Sequence, residues 1–441
     1  MGIAVVVGTR PEAIKLVPII LALRDSMSFE PLVVSTGQHH EMVDEIFALA
    51  GIEADVQLWV GDNRARLNER VATVMRRFED FVTSRFEDPG GTVPSGEDVL
   101  AGRYPALVLV HGDTSSAFAA ALASFHLRIP VAHVEAGLRS GSNLSPFPEE
   151  LNRELISCIA CFHLAPTAVN LQNLVHEEID IGQIFVTGNT AIDALHWAVA
   201  QDVPFADETV AALYEGEGRI VVVTAHRREN WNGGLGRIAQ GIAAAAHSHP
   251  DVAFVVPLHP NPLVRSELGD PLRELENVTL TDPIPYASFS RLLARCDLVV
   301  TDSGGIQEEA PSLDKPVLVA RESTERVEGI AAGTLRLVGT DATLIETEIT
   351  RLLDDPGAYA EMARCENPYG DGRAAERIVG ALEHLHFGTD PPEPFGTGYN
   401  RLAILRAAGY RGAAHPHVPP GVPRPAVEGE GEPTSPHLWP S

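Results

Sequence analysis

The chain has 441 residues, 44% of them hydrophobic, with a net charge of −27 and a pI near 5.0. That length allows two or three domains with full cores, and the acidity argues against a nucleic-acid or acidic-membrane partner. Lys15 and Lys315 are the only lysines, so an anionic ligand would have to be met by local arginines.

The N-terminus has no basic leader. Gly2 leads into an apolar strand over residues 3–7, and no run is long enough to span a bilayer, so a cytoplasmic protein is expected. The turn Gly8-Thr9-Arg10-Pro11-Glu12 follows, with Pro11 suited to the first turn of a helix predicted over 13–24. A strand at 31–35 and helices at 41–50 and 67–86 come next, then residues 87–103, rich in Gly, Pro and acid, which read as an exposed loop. A strand at 106–110 ends at His111-Gly112-Asp113 and feeds an Ala-rich helix; one at 130–134 ends at Glu135-Ala136-Gly137. Ser145-Pro146-Phe147-Pro148-Glu149-Glu150 reads as a loop. Cys158 and Cys161 have redox-motif spacing, but their apolar helical context favours small buried core residues. Four cysteines in a chain this long make no disulfide framework.

A short strand at 184–186 ends the first series. The alternation restarts with strands at 219–224, 252–256, 278–280, 297–300 and 316–319. Strands alternating with helices predict an α/β fold of two Rossmann-like, doubly wound parallel-sheet domains. The expected domains are residues 1–187 and 188–366. Residues 388–441 hold eleven of the 33 prolines, with Gly, His and Glu among them, and are expected to form a mostly disordered tail with a short helix at 401–409.

The stretch Thr301-Asp302-Ser303-Gly304-Gly305-Ile306-Gln307-Glu308-Glu309 reads as strand, tight glycine turn and helix start. Two glycines let backbone N–H groups approach an anion, and the helix dipole favours negative charge; an ordinary turn with Ser303 as N-cap is the plain alternative. Glu308 or Glu309 can accept hydrogen bonds from ribose hydroxyls, as acids do in nucleotide folds. Ligands of parallel sheets sit beyond the carboxyl ends of the strands, where Asp113, Glu135, Glu149 and His226 collect. The arginines Arg10, Arg227, Arg228, Arg321 and Arg326 also fall at such ends, and Arg suits bidentate diphosphate binding. His111 with Asp113 and His133 with Glu135 alternate as metal ligands can, but the other nearby histidine, His126, falls away from the strand ends, so no metal is expected. No GxGxxG fingerprint for a nicotinamide is present, and no cofactor is expected.

These motifs, with Gln38-His39, His133-Val134-Glu135-Ala136-Gly137-Leu138-Arg139, His226-Arg227-Arg228-Glu229, Thr324-Glu325-Arg326 and Asn367-Pro368-Tyr369-Gly370-Asp371-Gly372, resemble the bacterial non-hydrolysing UDP-N-acetylglucosamine 2-epimerases over about residues 2–386. The resemblance implies the glycosyltransferase-B architecture, two Rossmann-like domains facing a cleft, with residues 367–387 crossing back to the first domain as a helix. It implies interconversion of UDP-GlcNAc and UDP-ManNAc by elimination and re-addition of UDP, in a homodimer. It places the acid–base carboxylates at Asp113, Glu135 and Glu149, with His226 beside the diphosphate. Ser303, Gly304 and Gly305 would hold phosphate, Glu309 the ribose, Phe289 the uracil, and Arg10 and Arg326 the diphosphate charge. A candidate effector site falls at Gln38, Glu41 and Arg64. The chain departs from the family pattern in a longer 87–103 segment, in His40 for Arg, in Asp314 for Gly, in Val327 for Pro, and in the tail. A hydrolysing relative that releases free ManNAc and UDP is the alternative reaction; a sugar-nucleotide sensor with a dead site is the non-enzymatic one.

Overall fold

The structure, a computed structural model, describes residues 1–60, 66–86 and 95–396. The expected helix at 401–409, the rest of the tail beyond residue 396, Arg64, and part of the 87–103 segment lie outside the described residues. The chain forms two compact units. The first comprises Met1–Thr190 and the chain from Gly372 onward; the second comprises Ala191–Asp371.

The first unit is built on seven parallel strands: β1 (Gly2–Val7), β2 (Glu30–Ser35), β3 (Val56–Gln57), β4 (Leu107–His111), β5 (Val131–Val134), β6 (Phe162–Ala165) and β7 (Ile184–Val186). Their order across the sheet is β3-β2-β1-β4-β5-β6-β7. β4 is buried along its whole length, the near-continuous apolar run of a sheet covered on both faces. The helix Ala374–Phe387 belongs to this unit and packs on the helix Arg10–Asp25. Ser26 donates to Glu383 at 3.2 Å, and Phe29 meets the rings of His386 and Phe387 at 5.6 and 5.7 Å.

The second unit has six parallel strands: β8 (Arg219–Thr224), β9 (Val252–Pro257), β10 (Val278–Thr281), β11 (Leu298–Thr301), β12 (Val317–Val319) and β13 (Leu335–Leu337), in the order β10-β9-β8-β11-β12-β13. Strand alternation divides its core. Val221 and Val223 face one cluster with Ile238 and Ile242, whereas Ile220 and Val222 face another with Leu292 and Leu293.

Three expectations need correction. Glu149 does not sit in a loop; it opens the helix Glu149–Ile159. Cys158 is exposed and Cys161 half-buried, because the helix ends at Ile159 with Cys158 turned outward. Residues 388–396, expected to begin the disordered tail, lie against the first unit. There the Phe395 N–H donates to the Val186 carbonyl at 2.9 Å, and Arg377 sits over the Phe395 ring.

In each sheet the strand order reverses direction once, between β1 and β4 and between β8 and β11. The turns leaving such a pair diverge to opposite faces and open a crevice at their carboxyl ends. Arg10 and Asp113 leave the first reversal point; His226 and Ser303 leave the second.

Candidate active site

In the first unit, β1 ends in Gly8-Thr9 and the helix Arg10–Asp25 begins. Glu12, on the first turn of that helix, is buried and turns back. Its Oε2 accepts from the N–H groups of Gly8 (3.2 Å) and Thr9 (2.6 Å), and its Oε1 from the Thr114 hydroxyl (2.7 Å). Burial pushes the Glu12 carboxyl up to about 7 despite these hydrogen bonds. One turn further along, Lys15 forms an ion pair with Glu135 Oε1. Glu135 follows β5 with φ +62°, a left-handed conformation that costs a non-glycine residue on the order of 1 kcal/mol and is kept by its surroundings. Its Oε2 lies 3.8 Å from His111 Nδ1. Burial would raise the Glu135 carboxyl, but Lys15 and His111 overcome it and hold the group at about 2.

Asp113 is pushed the other way. Burial raises its carboxyl above the usual range, the Arg153 guanidinium offsets part of this, and the charge on Glu135 raises it further. Arg153 reaches Asp113 Oδ2 at 2.6 Å and Glu150 Oε2 at 2.6 Å. Glu150 is fully buried and also accepts from the N–H groups of Ser140 (2.7 Å) and Gly141 (2.9 Å). Glu149, its neighbour, is half-exposed. Nearby, burial lowers the imidazoles of His111 to about 3 and His133 to about 4, so both stay neutral; His133 Nε2 lies 2.7 Å from the Gly112 carbonyl.

In the second unit, Asp302 directly follows β11 and is fully buried. Its Oδ2 accepts from the N–H groups of His226 (2.8 Å) and Arg227 (2.8 Å) and from the Asn230 amide (3.0 Å). His226 Nδ1 lies 3.7 Å from Asp302 Oδ1, and its ring stacks on His259 at 5.6 Å. Burial lowers the His226 imidazole, against the pull of Asp302. Ser303 occupies the N-cap position of the helix Gly304–Glu309 with an extended backbone, and its side chain makes no capping bond. Arg326 lies across this turn: a Cβ on Gly304 would come within 2.8 Å of the guanidinium carbon. Glu308 holds that guanidinium at 2.9 Å. Glu309 accepts from the Tyr286 hydroxyl at 3.5 Å, and Phe289, on the helix Tyr286–Arg295, packs partly buried on the core.

The profile of the family described as UDP-N-acetylglucosamine 2-epimerase matches residues 21–383. The chain is 44% identical over 390 residues to the UDP-N-acetylglucosamine 2-epimerase of Escherichia coli strain K12, covering 87% of this chain and 99% of the relative. It therefore belongs to the UDP-N-acetylglucosamine 2-epimerase family. Among solved structures, one assigned to that activity in Listeria monocytogenes is 39% identical with a TM-score of 0.80, covering 90% of this chain and 99% of that one. The Neisseria meningitidis UDP-GlcNAc 2-epimerase, solved bound to UDP-GlcNAc, is 39% identical with a TM-score of 0.75, covering 87% and 99%. Two parallel-sheet α/β units with such neighbours are the glycosyltransferase-B fold.

For this epimerase, the first unit brings Asp113 and Glu135 near enough to influence each other's charge, and the second brings His226 beside the Ser303 turn through Asp302. Arg10 is half-exposed at the head of its helix, and no side-chain hydrogen bond or ion pair engages it among the described residues. Of the candidate effector residues, Gln38 accepts from the Ser116 hydroxyl at 2.7 Å and Glu41 is exposed. Arg321, one of the sequence-selected cations, is buried and paired with Glu229 and Glu325. Glu12, Lys15, Glu150, Arg153 and Asp302 escaped the sequence reading as site residues. A signal existed for one pair: Glu150 and Arg153 are spaced i, i+3 on the helix that Glu149 opens. No group of three or more His, Cys, Asp or Glu among the described residues is arranged to hold a metal ion, and no helix among them is long and apolar enough to cross a membrane.

Proposed function

We propose that this chain interconverts UDP-N-acetylglucosamine and UDP-N-acetylmannosamine without releasing free sugar. The observation that carries the reading is a pair of partly buried carboxyls in one site, Asp113 paired with Arg153 at 2.6 Å and Glu135 paired with Lys15, driven in opposite directions, Asp113 toward its protonated form and Glu135 toward its ionised form. Titratable neighbours whose environments push them apart are the signature of an acid and a base in one reaction. The C2 proton is barely acidic, so cleavage of the C1–O bond leads. The electron pair leaves with the β-phosphate oxygen of UDP, and the developing positive charge at C1 is stabilised by carboxylates. A carboxylate takes the C2 proton, the C1–C2 double bond of a 2-acetamidoglucal forms, and UDP adds back while C2 is protonated from the other face. Two faces require more than one acid–base group, drawn from Asp113, Glu135 and Glu149. In this reading Ser303, Gly304, Gly305 and Arg326 meet the diphosphate with Arg10 and His226, Glu309 meets the ribose and Phe289 the uracil. The homodimer is part of the same reading and is checked by sedimentation.

The test is an NMR time course of UDP-GlcNAc with the purified protein in deuterated water. The UDP-ManNAc formed should carry deuterium at C2, because the removed proton is shared with solvent before reprotonation. Fully retained protium would overturn the elimination route, and accumulation of free ManNAc with UDP would establish the hydrolysing reaction instead.

A further inference from the structure

At the reversal point of a doubly wound sheet, the backbone N–H groups of the first βα turn ordinarily face a ligand anion. Here they do not. The amides of Gly8 and Thr9 are both taken by the Glu12 carboxylate, a buried group of the same chain. The second unit repeats the device with a different residue: the amides of His226 and Arg227, after β8, are taken by the buried Asp302. In each unit the carboxylate also ties the two diverging turns together. Asp302 sits on the turn after β11 and holds the turn after β8. Glu12 sits on the turn after β1, and its other oxygen holds Thr114, on the turn after β4. Thr114 in turn caps the helix Ser115–His126 by accepting from the Ala117 N–H at 3.0 Å. The two turns of the first unit also touch closely, since a Cβ on Gly8 would come within 2.6 Å of Ser116.

We propose that Glu12 is a positioning residue for the epimerisation: a resident hydrogen-bond acceptor that locks the turn carrying Arg10 to the turn carrying Asp113. The proposal rests on the reading above, in which Asp113 belongs to the acid–base set. Glu12 does not touch the sugar nucleotide; it acts through the backbone on either side of it. The Gly8 and Thr9 amides are thereby spent inside the chain and are not donors to a ligand anion.

Three variants test this by steady-state turnover of UDP-GlcNAc, UDP affinity by calorimetry, and folding by circular dichroism. Glu12→Ala removes all three hydrogen bonds, and Thr114→Val removes only the one between turns together with the cap. Each is expected to lower kcat about ten-fold or more, since small misplacements of reacting groups cost that much, with UDP affinity, which Arg10 shares with the Ser303-Gly304-Gly305 turn and Arg326, falling by less than kcat does. Combined, they should cost no more than the worse single variant, the non-additivity of two residues in one network. Glu12→Gln keeps an acceptor for the two amides and a donor for Thr114, so it should restore kcat to within about three-fold of the parent. A Thr114→Val chain with parental kcat overturns the proposal, as does a double variant whose losses multiply, and either result decides even where Glu12→Ala fails to fold. Asp113→Asn separates the two readings. If it retains full turnover, the acid–base assignment fails. If it is inactive while Thr114→Val is normal, the assignment stands and the positioning role of Glu12 falls.

Discussion

Glu12 is buried and Glu135 mostly so, both in the first unit, yet their proton affinities part by several pH units, and the cause is what each one faces. Glu12 accepts from neutral donors, and burial dominates; for Glu135 burial is again the largest influence, but Lys15 with His111 and Arg153 together outweigh it. The two therefore act on stability in different pH windows. The folded Glu12 carboxyl, at about 7, lies above its unfolded value of 4.5, so its contribution is present below about 4.5 and is lost as the pH rises through 7. Glu135, depressed to about 2, contributes above 4.5 and loses that contribution as the pH falls toward 2. Glu12→Gln should flatten the dependence of unfolding free energy on pH between about 4.5 and 7, a change on the order of 3 kcal/mol across the window, measured by urea denaturation at several pH values. An unchanged slope would show that Glu12 is not the titrating group. Gly304 illustrates a second residue-scale constraint. Alanine there would push the Arg326 guanidinium away from the turn. A flexible side chain yields without unfolding the protein, so Gly304→Ala should leave the melting temperature intact. UDP affinity should fall about ten-fold, the loss of one charge-assisted contact, as read by calorimetry. Asp314 shows the opposite tolerance: it holds φ +58°, a conformation that suits glycine, and Asp is among the few other residues that adopt it readily.

At the scale of elements, most strands were legible because a parallel sheet covered on both faces demands apolar runs, which β1, β2, β4, β7, β8, β9, β11 and β12 carry; β5, with His133 inside it, and β10, with Thr279, were legible despite a polar residue. β3, β6 and β13 were not predicted. β3 has two residues and β13 three, and β6 is separated from the helix Glu149–Ile159 by only two residues, with no Gly, Pro, Asn or Asp between to mark it. The site was legible where the chain announces it with a strand end and a turn, as at Asp113, Glu135, His226 and Ser303. It was not legible where helix phase decides which of two adjacent acids turns inward. Glu149 and Glu150 are chemically equivalent in the sequence, but the helix Glu149–Ile159 buries Glu150 and places Arg153 between it and Asp113. That arrangement predicts a large penalty for removing the cation. Arg153→Met leaves Glu150 buried with its charge unmatched and should cost about 3–5 kcal/mol in unfolding free energy. Adding Glu150→Gln should return part of it, because the uncompensated charge is then gone. Additive losses in the double variant would show that the two side chains do not act as a pair.

At the scale of the whole molecule, the composition of the tail pointed to disorder from Gly388, but residues 388–396 are held by contacts with the first unit. Phe395 is reached through a segment of prolines and acids that has no apolar periodicity, so nothing in the pattern marks it as an anchor. It nonetheless closes the edge of the first sheet: its N–H extends the bonding of β7 at the Val186 carbonyl, and its ring lies against Gly188 and under Arg377. Arg377 belongs to the helix Ala374–Phe387 and also donates to the Thr187 carbonyl at 3.1 Å, so strand edge, returning helix and tail residue form one contact. Pro392 adds to it by packing against Gly380 of the same helix. Two truncations separate composition from contact. A chain ending after Gly396 keeps every one of these interactions and should melt with the full-length protein and turn over at the same rate. A chain ending after Phe387 loses them and should be destabilised by about 1–3 kcal/mol, the order of one partly buried aromatic with its cation–π contact. Its kcat should stay within a few-fold of the parent, because none of the site residues touches this edge. Identical melting of the two truncated chains would show that residues 388–396 contribute nothing to the fold. A collapse of activity in the longer one would assign a role to the segment beyond residue 396.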